Sequence, residues 1–401
     1  MKLLLVTNTY PPRDISGVGA LVYELAREAE RRGHDVRVLT RGADAGNDAV
    51  VLGVGGPKGL FPLSAAATYL RTFAVQPPTI VHVHESDGAL LALALRAARA
   101  FGRPQGSARL VATLQVSYRE ERRAVRAVRA NERVVSRPAL SERLFAWMRA
   151  PILAGLGRLT ASLADAVIAP SRATARELER DYGCSVREVI PNGVLSAARP
   201  PEPGAKSIGA QSTVLYVGRL RTRKAVAVLL DAFAIVASGR PDLRLVVVGD
   251  GEQERALRRR AGRPDLRGRV EFQGRLSRDA IADLYHRAAV LCLPSIYEGF
   301  PVTIVEAMSA GLPVVATVVA GVPEAVEDGV TGALVAAEDA RALGAALERL
   351  LEDIDLRRRM GQRAREVFER RFAIDVVADA HLALYEELTR TERRVVQRVS
   401  W

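Results

Sequence analysis

Two glutamates are separated by seven residues in the run Glu298-Gly-Phe-Pro-Val-Thr-Ile-Val-Glu306, which continues as Ala307-Met-Ser-Ala-Gly-Leu-Pro-Val-Val315. Pro301 suits the first turn of a helix, because its missing N–H is one that a helix start leaves unused, so a helix is expected to begin there. Glu298 then precedes the helix and Glu306 lies more than a turn inside it. The N–H groups of Val302, Thr303 and Ile304 would lack intrahelical acceptors and would attract a phosphate to the space in front of the helix. A carboxylate accepts two hydrogen bonds from a ribose diol or from sugar hydroxyls. One segment therefore has the parts to hold a phosphate by its backbone, a sugar by one glutamate and a ribose by the other. A helix start with two solvated glutamates has the same spacing, and the surrounding residues decide between the two.

A second run, Gly218-Arg219-Leu-Arg-Thr-Arg-Lys224, directly follows residues of strand type. An α/β domain holds anions at such strand ends. Arg219 offers a planar fork to phosphate oxygens and Lys224 a point charge. Lys224 is one of four lysines, with Lys2, Lys58 and Lys206, among 58 basic residues, so compositional drift explains it poorly. A third run, Val246-Val-Val-Gly-Asp-Gly251, is a strand and a turn of a kind common in α/β domains. In the N-terminal half, Ser16-Gly17-Val18-Gly19 lacks the full GxGxxG spacing but lets a backbone approach a ligand closely. His82-Val-His84-Glu85 ends another strand, and alternate strand residues share a face, so His82 and His84 project together unless the strand ends between them. With no cysteine or further histidine nearby, the pair is a poor metal site. No metal and no cofactor are expected; the acidic run Asp353-Ile-Asp355 falls in a helical region where a solvated surface accounts for it.

These residues need a frame. Short runs of strand type alternate with helical runs along almost the whole chain, the pattern of parallel α/β sheets. Lys2–Val6, Asp35–Leu39, Thr79–Val83, Arg109–Thr113 and Ala166–Ala169 read as strands. Gly17–Arg32 reads as a helix stopped by Gly33, and Ser171–Tyr182 as one with a serine cap and Gly183 after its end. Pro138–Ala164 reads as a long helical region interrupted at Pro151. Ser196–Gln211, rich in Pro, Gly and Ala and without apolar periodicity, reads as a linker. The alternation then restarts with strands Thr213–Val217, Leu243–Val248, Val270–Phe272, Val290–Leu293 and Val314–Ala316. Helices are expected near Ala225–Ser238, Glu252–Ala261, Arg278–Arg287 and Val302–Ala310, and Leu356–Leu388 is helical and amphipathic. The expected fold class is α/β, with two Rossmann-like domains facing across a cleft: residues 1–195, a linker over 196–211, and residues 212–371. Ligands of such sheets bind beyond the carboxyl ends of the strands, which makes the cleft the default site.

The length of 401 residues suits two domains, and 48% hydrophobic with 26% charged residues is ordinary for a soluble globular protein. Cys184 and Cys292 form neither a disulfide framework nor a zinc site, so a reducing compartment is expected. The opening MKLLLVTNTYPP has too short an apolar run for a secretory signal, and no stretch reaches the ~20 apolar residues of a membrane span. The formal charge of +12 admits a solvated basic surface, contact with anionic lipid, or nucleic acid. With 5% aromatics and no recognised motif, nucleic acid is set aside. Between Arg119 and Arg149 nine arginines stand against Glu120, Glu121, Glu132 and Glu142. Arg122, Arg126, Arg129 and Arg133 would line one helical face, with Leu144, Phe145, Trp147 and Met148 close by. That pairing suits an anionic membrane surface, and equally a solvated arginine face beside a buried tryptophan. The expected location is cytoplasmic, either free or peripheral at the inner membrane face.

The runs Tyr10-Pro-Pro12, Gly17/Gly19, Arg32-Gly-His-Asp-Val36, His82-Val-His84, Ile190-Pro-Asn-Gly-Val194, Gly218-Arg-Leu220, Gly249-Asp-Gly251, Glu298/Glu306 and the Phe372–Leu388 tail together resemble the family-4 retaining glycosyltransferases of GT-B architecture, glycosyltransferase group 1. The resemblance covers nearly all of the chain. It implies transfer of a hexose from a UDP- or GDP-linked donor to an acceptor hydroxyl, and a C-terminal helix, residues 372–401, crossing back onto the first domain. It implies that Arg219 and Lys224 neutralise the donor diphosphate, that Glu298 contacts the transferred sugar and that Glu306 binds ribose. Gly17, Gly19, Gly218, Gly249, Gly299, Phe300, Pro301, Val302 and Thr303 complete the expected donor site, with His84 and Gln115 on the acceptor or sugar side. Many members carry a histidine where this chain has Gln115, and glutamine cannot exchange a proton near neutral pH. The departing phosphate would then take the acceptor's proton. A lipid-linked acceptor or a polysaccharide precursor fits this reading. A nucleotide-sugar epimerase of the same fold needs no acceptor, and a non-catalytic subunit would bind donor without turnover; both alternatives share most of these runs.

Overall fold

The computed structural model describes residues 1–11, 17–42, 51–85, 88–128, 138–196 and 212–398. Pro12, Ser16, Arg129, Glu132, Arg133 and residues 197–211 of the expected linker lie outside the described residues. The chain divides into two compact units. The first comprises Met1–Tyr118, Pro151–Val194 and Ile374–Trp401, and the second Arg119–Ala150 and Leu195–Ala373.

Among the described residues the first unit holds a seven-stranded parallel sheet in the order β3-β2-β1-β4-β5-β6-β7. Its strands are β1 (Lys2–Thr7), β2 (Asp35–Arg41), β3 (Val51–Val54), β4 (Ile80–His84), β5 (Arg109–Thr113), β6 (Ala166–Ala169) and β7 (Glu188–Val189). Side chains alternate between faces along each strand. Leu3 and Leu5 therefore pack with Val22, Leu25 and Ala29 of the helix Gly17–Arg31, while Leu4 and Val6 pack with Phe61, Tyr69, Leu91 and Leu95 on the other side. A sheet covered on both faces explains why these strands read as unbroken apolar runs.

The helix Ile374–Arg398 belongs to this unit, and its Val377, Leu382, Tyr385 and Leu388 join the core beside β1. Arg32 pairs with Asp379 and donates to the Asp375 carbonyl at 3.0 Å, and Arg187 reaches Glu387 at 2.6 Å. Gly193 of the Ile190–Val194 run has a packing reason: a Cβ there would lie 2.8 Å from Val377.

The second unit holds a six-stranded parallel sheet in the order β10-β9-β8-β11-β12-β13. Its strands are β8 (Thr213–Val217), β9 (Arg244–Val248), β10 (Val270–Gly274), β11 (Val290–Leu293), β12 (Val314–Thr317) and β13 (Gly332–Val335). Val214, Leu215, Leu245, Val247, Leu291, Leu293, Val314 and Val315 form its buried interior.

Local signals act as their chemistry requires. Ser171 accepts from the Thr174 N–H at 3.0 Å, and Gly183 ends that helix at φ +67°. Other expectations are corrected. Residues Arg119–Ala150, placed with the first domain by the sequence boundaries, are part of the second unit, where Glu121 and Glu142 anchor them. The expected interruption at Pro151 falls one turn earlier, as a widened turn over Phe145–Arg149 in which Ala150 donates to the Phe145 carbonyl. Proline has no N–H for the carbonyl four residues back, and the widened turn absorbs that mismatch. The helix expected from Pro301 runs Val302–Ser309, with Pro301 at its cap. The single helical tail is two helices, Ile354–Arg371 and Ile374–Arg398.

Candidate active site

The expected donor residues gather at the carboxyl ends of β8 and β11. After β8 the chain enters a tight turn, Thr222–Lys224, that ends on Ala225 in the left-handed region at φ +49°. The loop after β9 lies against this segment backbone to backbone. Leu220 donates to the Asp250 carbonyl at 2.7 Å and Gln253 to the Leu220 carbonyl at 2.9 Å. Gly249, at φ +123°, is what allows this approach, since a Cβ there would collide with the Gly218 carbonyl.

Lys224 forms a largely buried ion pair with Glu298, whose Oε1 also accepts from Ser295 Oγ at 2.6 Å. Arg223 Nη1 lies 3.7 Å from Glu298 Oε2, and Arg223 Nε lies 3.2 Å from Glu121 Oε1. Two cations and two carboxylates thus offset one another, which is how charges survive away from water. Burial pushes the Glu298 carboxyl up, but the charges of Lys224 and Arg223, with hydrogen bonds from Lys224 and Ser295, outweigh it and hold the group below its usual range. Burial first, together with the Arg223 charge, pushes the Lys224 ammonium below its usual range against the pull of Glu298. Arg219 differs: its side chain is 49% exposed, and Nη1 lies 3.4 Å from Asp250 Oδ1. Asp250 also takes Arg275 Nε at 2.7 Å.

The loop carrying Glu298 is tied down by its backbone. Ile296 donates to the Arg223 carbonyl at 2.8 Å and Arg223 to the Tyr297 carbonyl at 3.1 Å. Gly299 and Phe300 lead to Pro301, whose extended ψ of 102° turns its carbonyl onto the helix it caps. Ile304 donates to that carbonyl at 3.1 Å. Of the three N–H groups expected to be free, those of Val302 and Thr303 lack an acceptor among the described residues, while that of Ile304 is engaged. Glu306, a turn further on, accepts the Tyr285 hydroxyl at 2.8 Å. Burial, and then the Glu306 charge, push the Tyr285 phenol well above its usual range.

The remaining expected residues lie in the first unit. Gly17 is the first residue of the helix Gly17–Arg31 and Gly19 is buried within its first turn. His82 and His84 do share a face, with ring centroids 4.2 Å apart. His82 is fully engaged: Nδ1 lies 2.6 Å from Tyr385 Oη and Nε2 2.7 Å from Thr113 Oγ1. His84 is buried, and neither ring nitrogen has a hydrogen-bond partner among the described residues. Burial first, then the charge of His381, push its pKa down to about 3. Gln115 is also buried; its Oε1 accepts from Asn192 Nδ2 at 3.0 Å while its Nε2 has no partner among the described residues. Buried polar groups are ordinarily satisfied, so these orphaned atoms mark unmet hydrogen-bonding capacity.

Sequence reasoning missed Arg223, Ser295 and Tyr285, which orient the expected residues. Arg223 was hidden among many arginines, and Ser295 and Tyr285 carry no motif. A cavity of about 390 Å³ in the second unit, lined by Val125, Leu144, Phe145, Met148, Arg149 and Arg221 among others, includes none of the expected catalytic or donor residues. On the segment beside it Leu140, Leu144, Trp147 and Met148 are exposed. Among the described residues no three His, Cys, Asp or Glu side chains could together hold a metal, and no helix is long and apolar enough to cross a membrane.

Residues 203–367 match the family described as Glycosyl transferases group 1, and residues 15–195 match Glycosyltransferase Family 4. The chain is 28% identical to the glycogen synthase of Mycobacterium tuberculosis over 420 residues, covering 98% of this chain and 96% of that protein. It is 38% identical to the phosphatidyl-myo-inositol mannosyltransferase of Mycobacterium leprae over 212 residues, 51% of this chain and 55% of that one. Among solved structures it is similar to Anabaena HepE in complex with UDP-glucose, with a TM-score of 0.73 and 21% identity over 96% of this chain and 100% of that one. That last likeness is one of fold.

Proposed function

We propose that this chain, whose two halves match Glycosyltransferase Family 4 and Glycosyl transferases group 1, is a GT-B glycosyltransferase that transfers a sugar from a nucleotide-sugar donor to an acceptor, and specifically a retaining hexosyltransferase whose UDP- or GDP-linked donor is held by the second unit. The observation that carries this reading is the largely buried Lys224–Glu298 pair beside a helix start whose Val302 and Thr303 N–H groups lack an acceptor among the described residues. Arg219 and Lys224 meet the charge that develops on the leaving diphosphate, usually the largest electrostatic contribution in such a site. The Val302 and Thr303 N–H groups add to it, and two protein cations serve this role without a divalent metal. Glu306 takes the ribose diol. Glu298 fixes Lys224 and meets sugar hydroxyls through its less engaged Oε2. His84 and Gln115 satisfy their orphaned nitrogens on hydroxyls of the sugar or acceptor. Since the Gln115 amide cannot serve as a general base near neutral pH, the leaving phosphate takes the acceptor's proton.

The acceptor we propose is lipid-linked or a polysaccharide precursor, met at an anionic membrane surface on the cytoplasmic side. The exposed Trp147, at 70%, supports this, with Leu144, Met148, Arg122 and the exposed Arg126 on the same segment. The similarity to a phosphatidyl-myo-inositol mannosyltransferase adds to it. That segment is part of the second unit, the one that holds the donor in this reading. A thermal-shift series with UDP, GDP, ADP and their sugars identifies the donor, since a ligand of the folded state raises its melting temperature. Product NMR then reads the anomeric outcome. Inversion at the anomeric carbon would sink the retaining assignment, and conversion of donor alone to an epimer would replace transfer by epimerisation.

A further inference from the structure

The loop that bears the diphosphate clamp is held by a segment from far away in sequence. Glu142 lies in the short helix Leu140–Leu144 and is buried, with all its bonds made inside the second unit. Its Oε1 accepts the Thr222 N–H at 2.8 Å. Its Oε2 accepts the Thr222 hydroxyl at 2.5 Å, Gln253 Nε2 at 2.9 Å and the Ala139 N–H at 2.9 Å. Gln253 Nε2 also donates to Thr222 Oγ1 at 2.7 Å, so both polar groups of Thr222 are bound through one network. A second carboxylate of the same segment, Glu121, faces Arg223 at 3.2 Å.

Thr222 opens the turn that sets the directions of Arg223 and Lys224. That turn closes on Ala225 at φ +49°, a conformation a non-glycine residue avoids, so local preference does not hold it. A carboxylate accepting several hydrogen bonds at the turn's first residue supplies the missing constraint. The same carboxylate reaches Gln253, on the loop after β9, so it joins both loops that flank Arg219.

We propose that Glu142 is a positioning residue of the donor site: the short helix Leu140–Leu144 acts as a strut that fixes Thr222 and, through it, the aim of Lys224 at the donor's outer phosphate. The proposal rests on the reading of Arg219 to Lys224 as the diphosphate clamp. Glu142 touches no reacting atom. Its replacement by glutamine keeps the volume but leaves one acceptor where two are used, and turns an amide donor toward groups that already donate.

The experiment compares nucleoside diphosphates with monophosphates by calorimetry, using UDP with UMP and GDP with GMP. Glu142→Gln is expected to weaken the diphosphate that the parent binds by tenfold or more, and to change the matching monophosphate less than twofold, because the strut acts only on the outer phosphate. Glu142→Asp, which keeps the charge, should recover part of the loss. Equal weakening of both nucleotides, or no change in either, overturns the positioning role. Should Glu142→Gln fail to fold, Thr222→Val, which removes the hydroxyl between Glu142 and Gln253, carries the same comparison. A parent that binds neither UDP nor GDP would remove the clamp itself, a failure distinguishable from an unchanged variant.

Discussion

Tyr285 lends its hydroxyl to Glu306 at 2.8 Å, so the carboxylate assigned to the ribose is oriented before any ligand arrives. Glu306→Ala should weaken the free nucleoside diphosphate by about 1.5–3 kcal/mol, the worth of a hydrogen bond to a charged group. Tyr285→Phe should weaken it less, because the carboxylate survives and only its aim is lost. Calorimetry checks both, and an affinity equal to the parent's in Glu306→Ala would make that residue structural.

Lys224→Ala should lower turnover at saturating donor by about tenfold or more while the chain still folds. Folding is expected to persist because Arg223 remains 3.7 Å from the carboxylate that Lys224 leaves behind. Circular dichroism checks the fold and product formation checks the rate. Full turnover in the variant would take Lys224 off the catalytic list.

The histidine cluster of the first unit makes stability depend on pH. His381 is buried beside His82, and burial, partly offset by its bond to the Val377 carbonyl, pushes its pKa down to about 4; that of His84 is about 3. Unfolded histidine titrates near ~6.5, so below that pH the unfolded chain binds protons that the folded chain refuses. Both folded values are depressed. The stabilisation is therefore complete above the unfolded value and is lost as pH falls from ~6.5 toward ~4 for His381 and toward ~3 for His84. The parent's melting temperature should drop on acidification across this window, and His381→Gln should flatten the drop. Parallel curves for the two proteins would show that His381 does not contribute to it.

At a membrane, the exposed Leu144 and Trp147 predict that the chain co-sediments with anionic liposomes at low salt and detaches as salt rises. Leu144→Ser with Trp147→Ser should abolish binding, and changing Arg122, Arg126, Arg129 and Arg133 to glutamine should weaken it strongly. Neutral liposomes should capture little. Absence of the parent from the anionic pellet would point to a soluble acceptor instead.

Gly249→Ala should destabilise the second unit measurably, because its φ of +123° disfavours a side chain and the Gly218 carbonyl occupies the space. The melting temperature reads this directly; an unchanged value would show that the two loops can separate without cost.

The central strands were legible because each is buried on both faces and therefore announces itself as an apolar run. β3, β7 and β13 were not: they are short strands at the ends of their sheets, and Glu188 and Val189 of β7 are both exposed. Caps were legible where a single side chain does the work, as at Ser171. In the site, Glu298, Glu306, Arg219 and Lys224 could be picked out by spacing, but the Lys224–Glu298 pair joins residues 74 apart. Contacts of that kind arise only when the sheet brings strand ends together. The same holds for Glu142, which reads as an ordinary helical glutamate and whose partners, Thr222 and Gln253, carry no signal.

The route of the chain has a consequence in time. The chain passes between units after Tyr118, Ala150, Val194 and Ala373, so the first unit's last element follows all of residues 195–373. A ribosome adding about 5–20 residues per second needs roughly ten to thirty-five seconds for that stretch. Throughout it, the side of the helix Gly17–Arg31 that will meet the last helix, with its Val377, Leu382 and Tyr385, waits without that cover, open to chaperones and to misassembly. The unit whose strands are made first is the one that finishes folding last.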